Sequence, residues 1–134
     1  MEHVQGIGGV FLRVRDREAT AAWYRDHLGI DVNTQWWGHE FKWKEQDDAD
    51  RGSTTWGLFA PDSDYFGDRA NQAMINFRVR DLDAMLAQLR AGGCTVDDRV
   101  ERSEYGAFGW VTDNEGRRVE LWQPPATDPG TSAE

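Results

Sequence analysis

His39 and Glu40 are adjacent side chains that can do acid–base chemistry, and they lie among three tryptophans within residues 36–43. An imidazole or a carboxylate beside aromatic rings can transfer a proton or bind a cation. Because successive residues of a strand point to opposite faces, the two side chains are predicted not to form one bidentate pair. His39 is expected to share a face with Trp37 and Phe41, either as a base or ligand or in a packing role.

Other catalytic signatures are absent from the sequence. Gly6, Gly8 and Gly9 precede a predicted strand rather than follow it, so they do not form a phosphate-binding loop. No serine nucleophile elbow and no Cys-His nucleophile signature occur. Cys94 is the single cysteine, and it cannot form an internal disulfide.

The elements that must position the candidate side chains occur twice. Arg-Val-Arg-Asp stands at 13–16 and again at 78–81, each time after an alternating, strand-like run. The Asp of each motif is expected to cap a helix, over 17–28 and 82–91. Further strands are predicted at 30–36, 38–44, 53–60, 94–101, 107–113 and 117–123, with a tight turn at 113–116. Each half therefore reads β-α-β-β-β.

The apolar residues of the helices predict which faces are buried. Ala19, Ala22 and Trp23 form the stripe of the first helix, and four Leu and Met residues between 82 and 89 form that of the second. Trp23 and Trp56 are predicted to be core residues.

This duplicated pattern resembles the vicinal oxygen chelate superfamily, which includes glyoxalase I, extradiol dioxygenases and bleomycin-resistance proteins. The resemblance covers about residues 5–124, and it rests on the Arg-Val-Arg-Asp motif, the helix from Ala22-Trp23-Tyr24 to Leu28-Gly29, and the closing segment 113–122. It implies an α+β fold. Two tandem βαβββ units, about 5–61 and 72–124, would form a curled mixed sheet around a cup in a single domain, 1–124. The Pro- and Gly-containing tail, 125–134, is expected to be disordered.

In the metal enzymes of this superfamily, up to four side chains from the first and last strands of each unit hold a divalent ion in the cup. The corresponding positions here are Gly9, Gly57, Met74 and Glu120. Glycine offers no ligand atom, and a thioether suits a hard divalent ion poorly. The resemblance therefore implies a divergent member with no metal site of the family type. No cofactor is predicted, and a divalent metal enters only under an enzymatic alternative.

Strand alternation predicts which side chains line this cup. Its walls would be mostly apolar with a few polar groups, as in a small-molecule pocket, and the two glycines would leave open space. The predicted ligand-binding residues are Phe11, Arg13, Trp37, Phe59, Met74, Asn76, Arg78, Trp110, Glu120 and Trp122.

Glu120 and His39 are the candidate catalytic residues. Burial in an apolar cup would raise the pKa of the Glu120 carboxyl, which could then abstract a proton or bind a cation. The alternative is a structural ion pair of Glu120 with Arg13 or Arg78, predicted for the same face.

Charge and composition limit the partners. Lys and Arg number 15 against 24 Asp and Glu, a net charge of −9, which disfavours nucleic acid and favours cationic ligands. No apolar run approaches the roughly 20 residues that cross a membrane, and no signal-peptide core follows Met1, so a cytoplasmic location is expected.

The main functional prediction is a metal-independent binding protein that holds an aromatic or cationic small molecule in a Trp-rich cup. The alternative is a metal-dependent lyase or isomerase of the glyoxalase type, or a ring-cleaving dioxygenase, with a non-standard site such as Glu120 with His39. A third possibility is a scaffold or regulatory dimer without a small ligand. The resemblance also implies a homodimer.

Overall fold

The computed structural model describes residues 1–43 and 52–126. The segment between the predicted strands 38–44 and 53–60, and the predicted tail 125–134, fall almost entirely outside these residues. The chain divides into two compact halves. The first half is Gly8–Ile75, and the second half is Met1–Ile7 together with the chain from Asn76 onward.

The first half is built on three strands and one helix. Strand β1 (Val4–Arg13), which begins in the second half, is followed by helix α1 (Arg17–Leu28), β2 (Gly38–Lys42) and β3 (Ser53–Phe59). β3 pairs with β1 in parallel and with β2 antiparallel, so the order is β2-β3-β1. Since directly paired residues point to the same face, this register fixes which side chains lie together.

Helix α1 begins and ends at the predicted residues. The Asp16 carboxylate accepts a hydrogen bond from the Ala19 amide at 3.0 Å, and Gly29 ends the helix in the left-handed conformation, with φ 72°. The buried face was predicted wrongly, because Trp23 is 53% exposed. Tyr24 instead contacts Trp56 of β3, with 4.7 Å between ring centroids.

The second half is built on five strands and a second helix. Strand β4 (Ala73–Val79) leads into helix α2 (Leu82–Ala91), and four strands follow: β5 (Thr95–Val96), β6 (Glu101–Ser103), β7 (Gly106–Thr112) and β8 (Arg118–Gln123). β8 pairs with β4 in parallel and with β7 antiparallel. α2 packs its apolar face on these strands, and the buried cluster is Val79, Leu82, Met85, Leu86, Ala107 and Leu121.

The predicted turn between the last two strands is confirmed. Asp113 Oδ1 accepts hydrogen bonds from the amides of Glu115 and Arg117, at 2.8 and 2.9 Å. Gly116 supplies the positive φ of 86° that closes the turn. These two backbone hydrogen bonds lower the pKa of the Asp113 carboxyl below its ordinary value, because they stabilise the charged form.

The α+β fold of two β-α-β-β-β units is confirmed, with two corrections. Residues 30–36 are not a strand. The Gln35 amide donates to Asn33 Oδ1, and Asn33 makes a single bridge to Gly38, so the chain turns there. The predicted strand 94–101 is interrupted, because β5 and β6 pair with opposite ends of β7. Within the described residues, no helix is long and apolar enough to cross a membrane.

Candidate functional site

Phe11 covers the two glycines that stand at metal-ligand positions in the first half. A Cβ atom on Gly9 would lie 2.8 Å from Cζ of Phe11, and one on Gly57 would lie 3.3 Å from its Cδ1. Phe11 is paired with Gly57 across the β1–β3 ladder, so its ring lies over that neighbour. The prediction that these glycines leave open space is wrong, because the Phe11 ring occupies it.

Phe59 joins Phe11 to an aromatic cluster in the loop after β3. The centroid of its ring lies 5.4 Å from that of Phe11, 5.6 Å from that of Tyr65 in a stacked arrangement, and 5.1 Å from that of Phe66. Phe66 is fully buried. Predicted ligand-binding residues Phe11 and Phe59 therefore share one face, and both are half-buried.

Arg13 anchors the same loop from the end of β1. Its guanidinium donates to the carbonyl oxygens of Ser63 at 2.9 Å, Arg69 at 2.7 Å and Asn71 at 2.5 Å. The Phe66 ring packs 5.0 Å from its Cζ atom. Arg13 is 8% exposed, and it makes no ion pair with any carboxylate in the described part of the chain. Carbonyl dipoles, rather than a counter-ion, stabilise this buried charge.

The β2–β3 register separates His39 from the Phe11 face. His39 is opposite Trp56, the residue that contacts α1, and its ring lies against Phe41, as predicted. Its Nδ1 is 3.0 Å from the carbonyl oxygen of Asp31. Glu40 is opposite Thr55, which is in turn paired with Gly9, so Glu40 shares the face of Phe11 and accepts a hydrogen bond from Ser53 Oγ at 2.8 Å.

Glu120 is the centre of a buried hydrogen-bonded group in the second half. Asn76 Nδ2 donates to its Oε1 at 2.6 Å, and Trp110 Nε1 donates to its Oε2 at 3.0 Å. Both donors are direct neighbours of Glu120 across the β4–β8 and β7–β8 ladders. Glu120 is 2% exposed and Trp110 is fully buried. Each carboxylate oxygen thus accepts from a side chain that the sheet register fixes in place.

Unlike the two carboxylate oxygens of Glu120, the amide oxygen of Asn76 has no hydrogen-bond partner among the described residues. Asn76 is 3% exposed, and its Oδ1 is buried without a hydrogen-bond donor. Its Nδ2 donates to Glu120 Oε1 at 2.6 Å, an orientation that suits a carboxylate, which only accepts hydrogen bonds when it is ionised. An unsatisfied buried acceptor costs about 1–3 kcal/mol. Asn76 Oδ1 therefore has unused capacity for an N–H or O–H donor.

Arginines and aromatic rings surround this group within the second half. The Cζ atoms of Arg118 and Arg99 lie 4.8 and 5.6 Å from the ring centroid of Trp110. Arg118 also pairs with Asp97 at 2.5 Å. Further along β8, Trp122 stacks on Phe108 at 6.3 Å between ring centroids, and its Nε1 donates to the Tyr105 carbonyl oxygen at 2.8 Å.

The structure assigns the predicted site residues to two groups, one in each half. The first half contains Phe11, Arg13, Trp37, Phe59 and Met74, and the second half contains Asn76, Arg78, Trp110, Glu120 and Trp122. Arg78 lies 6.0 Å from the Trp122 ring, and Met74 is buried. The sequence pattern alone did not assign Glu40 to the Phe11 face. That assignment depends on the pairing of β2 with β3, and a shift of one residue would reverse it.

The residues at the four family positions do not fit a divalent metal. Two are glycines beneath Phe11, one is a buried thioether, and the carboxylate of the fourth is hydrogen bonded through both oxygens. Across residues 1–43 and 52–126, no three His, Cys, Asp or Glu side chains are grouped closely enough to hold a metal ion.

Comparison with known proteins gives a family and a set of structural neighbours. The sequence matches the family model described as the Glyoxalase/Bleomycin resistance protein/Dioxygenase superfamily over residues 3–121. A comparison with the curated proteins gives no match.

Three solved structures illustrate the neighbours. Methylmalonyl-CoA epimerase from Mycobacterium tuberculosis is 24% identical, with a TM-score of 0.61 over 91% of this chain and 89% of that one. A variant of the Streptomyces coelicolor epimerase in complex with 2-nitronate-propionyl-CoA is 24% identical, with a TM-score of 0.66 over 92% and 100%. A Legionella pneumophila structure described as an NAD-dependent benzaldehyde dehydrogenase is 15% identical, with a TM-score of 0.57 over 87% and 98%. At these identities the likeness concerns the fold.

Proposed function

This chain belongs to the Glyoxalase/Bleomycin resistance protein/Dioxygenase superfamily, and within it we propose that the protein binds a small organic cation without a metal ion. The site is the face of the second half that carries Asn76, Trp110, Glu120 and Trp122. The observation that carries the proposal is the buried, donor-free oxygen of Asn76 beside the Glu120 carboxylate.

Metal independence is supported by the residue types at the four family positions. Gly9 and Gly57 have no ligand atom and are covered by Phe11, and Met74 offers only a soft sulfur. Glu120 would be left as a single carboxylate ligand. Zinc centres in proteins use three or four protein ligands and calcium centres use more, so one carboxylate is a poor substitute.

The charge of the ligand follows from the acceptors in the group. Asn76 Oδ1 and the carboxylate oxygens of Glu120 are hydrogen-bond acceptors, so they favour a ligand with N–H donors and a positive charge. The net charge of −9 would attract such a cation over a longer range. Trp122 and Phe108 are half-buried and stacked, and they offer aromatic surface for a planar ligand.

The alternative is a metal-dependent lyase, isomerase or dioxygenase. Superfamily membership and the fold shared with the methylmalonyl-CoA epimerases favour this reading. It requires a metal site of unfamiliar composition, and His39 lies on the α1 side of β2 rather than on the Phe11 face. Metal retention separates the two functions.

Benzamidine is a suitable probe, because its planar amidinium combines aromatic surface with two adjacent N–H donors. The experiment titrates chelator-treated protein and follows the indole N–H resonance of Trp110 by NMR, assigned with the Trp110→Phe variant. Benzamide and benzoate serve as the neutral and anionic controls of the same shape. The proposal predicts saturable shifts of the Trp110 signal with benzamidine and much weaker ones with either control.

A substitution pair tests the role of the carboxylate. Glu120→Gln removes the charge at nearly constant shape, and loss of a charge-assisted hydrogen bond is expected to weaken benzamidine binding by about 10-fold to 100-fold. Glu115→Gln, at an exposed position in the β7–β8 turn, is the matched control. Equal binding by both variants, or a Trp110 response to benzoate as strong as to benzamidine, would refute the site.

We also propose that the protein is a homodimer in the cytoplasm and binds neither nucleic acid nor membrane. Exposed apolar side chains in the first half support an interface between copies: Leu28 is 59% exposed and Phe41 43%. Sedimentation velocity at micromolar concentration tests this directly, and a single species with the mass of one chain would contradict the dimer.

A further inference from the structure

We propose a second ligand site, in the first half, that binds an aromatic carboxylate in a cleft beside the start of α1. The cleft has a volume of about 300 Å³ and is lined by Arg17, Trp36, Leu58, Phe59, Ala60 and Ser63. Small-molecule pockets are of this size, with apolar walls and a few convergent polar groups. This site is separate from the Glu120 group and does not depend on it.

Arg17 gives the cleft its charge. Its guanidinium lies over the ring of Trp37, with Cζ 5.1 Å from the ring centroid, so its planar fork is held by stacking. Arg17 is also the first residue of α1, where the positive end of the helix dipole favours an anion. A guanidinium binds a carboxylate through two parallel hydrogen bonds, which sets the chemistry of the ligand group.

The platform beneath Arg17 is held in an unusual conformation. Trp37 has φ 63°, a left-handed backbone that bulky residues rarely adopt. Its amide donates to the Asn33 carbonyl oxygen at 2.7 Å, and its own carbonyl oxygen accepts from the Leu58 amide at 2.8 Å. These two hydrogen bonds hold the backbone of Trp37 in this conformation.

Buried Arg13 is a neighbour of two residues that line the cleft. It donates to the carbonyl oxygen of Ser63, a cleft residue, and it is paired with Phe59, another cleft residue, across the β1–β3 ladder. Its Nε is buried without an acceptor, and no carboxylate of residues 1–43 or 52–126 pairs with it. Its charge is stabilised by the carbonyl oxygens of the loop after β3, as described above. Among the residues that line the cleft, Arg17 therefore provides the guanidinium for direct contact with a carboxylate, and Arg13 contributes by holding Ser63 in place.

The walls define the rest of the ligand. Trp36 is 48% exposed, and its ring packs against Gly38, where a side chain would collide with it. Phe59 and Leu58 form apolar surface on the β3 side. Asp62 and Asp64 flank Ser63 but are exposed, and neither lines the cleft. A flat, fused ring that carries one carboxylate matches this combination of indole, phenyl and guanidinium.

The test uses 2-naphthoate, with 2-naphthalenemethanol as the uncharged analogue, and measures binding by calorimetry. Binding with one ligand per chain is expected for the carboxylate, at least 10-fold tighter than for the alcohol, and weaker at high salt. Arg17→Gln is expected to weaken 2-naphthoate binding by about 10-fold or more. Arg15→Gln, an exposed arginine two residues earlier, is expected to leave it unchanged.

A second pair of variants tests the apolar walls of the cleft. Trp36→Leu is expected to weaken 2-naphthoate binding, whereas Trp23→Leu, on the exposed face of α1, leaves it unchanged. Absence of 2-naphthoate binding, equal binding of the alcohol, or equal affinity in Arg17→Gln and Arg15→Gln would overturn the proposal. Failure here leaves the Trp110 response to benzamidine untouched, so the two sites are tested separately.

Discussion

Replacing Arg13 with Met tests whether one buried side chain organises the loop after β3. The Met side chain has a similar unbranched stem, so the packing against Phe66 is largely kept while the guanidinium is removed. Three hydrogen bonds are lost, to the carbonyl oxygens of Ser63, Arg69 and Asn71.

The expected loss of stability is the energy of the lost hydrogen bonds minus the desolvation cost that is recovered when the guanidinium is removed. Each charge-assisted hydrogen bond contributes about 1.5–3 kcal/mol, so the three together contribute about 4.5–9 kcal/mol. Removing a buried charge returns several kcal/mol of desolvation cost, and carbonyl groups of a surface loop can bind water instead. The expected net loss is about 3 kcal/mol of the free energy of unfolding, equivalent to a fall in Tm of about 10 °C.

Urea unfolding of Arg13→Met and of Arg15→Met measures this difference. Arg15 is exposed near the end of the same strand, so its substitution is expected to change stability by no more than about 0.5 kcal/mol. Hydrogen exchange of the Asn71 amide, which donates to Asp68, reports the loop itself. A loss below about 1 kcal/mol with unchanged exchange would refute the role assigned to Arg13.

Three further substitutions test local features by unfolding measurements. Gly29→Ala is expected to lower the free energy of unfolding by about 1 kcal/mol, because φ is 72° there. Gly92→Ala, at φ −82°, is expected to lower it by less, and equal effects would contradict the capping argument. Asp113 has a pKa lowered from 3.8, so its stabilisation is present above that pH and is lost as the pH falls through the lowered value. Asp113→Asn should therefore destabilise the protein at neutral pH and have little effect at about pH 2, and a pH-independent effect would contradict this sign. Trp110→Phe removes a buried donor to Glu120 and should cost about 2–4 kcal/mol, against about 1 kcal/mol for Trp122→Phe, whose indole donates to an exposed turn.

Local chemistry explains what the sequence predicts well. The two Asp caps, the helix that ends at Gly29 and the Asp113–Gly116 turn are each determined by residues within a few positions of one another. Duplication of the Arg-Val-Arg-Asp motif adds the β-α-β-β-β order of each half. These features therefore follow from short-range patterns.

The errors arise where a distant partner decides the outcome. The face of α1 is decided by Trp56 of β3, which contacts Tyr24 and leaves Trp23 exposed. The segment predicted as a strand at 30–36 turns instead, through an Asn33 side-chain bond and a left-handed Trp37 that no propensity favours.

In the candidate site, too, the features set by local patterns were predicted and those set by distant contacts were not. Alternation predicts that Glu120 and Trp122 share a face, but the partners of Glu120 come from the ladder register with Asn76 and Trp110. The interaction of Arg13 with carbonyl oxygens 50–58 residues away leaves no trace in the sequence pattern. Backbone acceptors are provided by every residue type, so such contacts have no compositional signal.

Metal content is the most direct test of the central claim, that this superfamily member binds its ligand without a metal ion. Elemental mass spectrometry on the purified protein, before and after incubation with Mg, Mn, Fe, Ni and Zn salts, measures the ion retained per chain after gel filtration. The residues at positions 9, 57, 74 and 120 predict that no ion is retained in a stoichiometric amount. Near-stoichiometric retention of one ion, lost in the Glu120→Gln variant, would contradict the account and direct attention to metal-dependent lyase and dioxygenase chemistry.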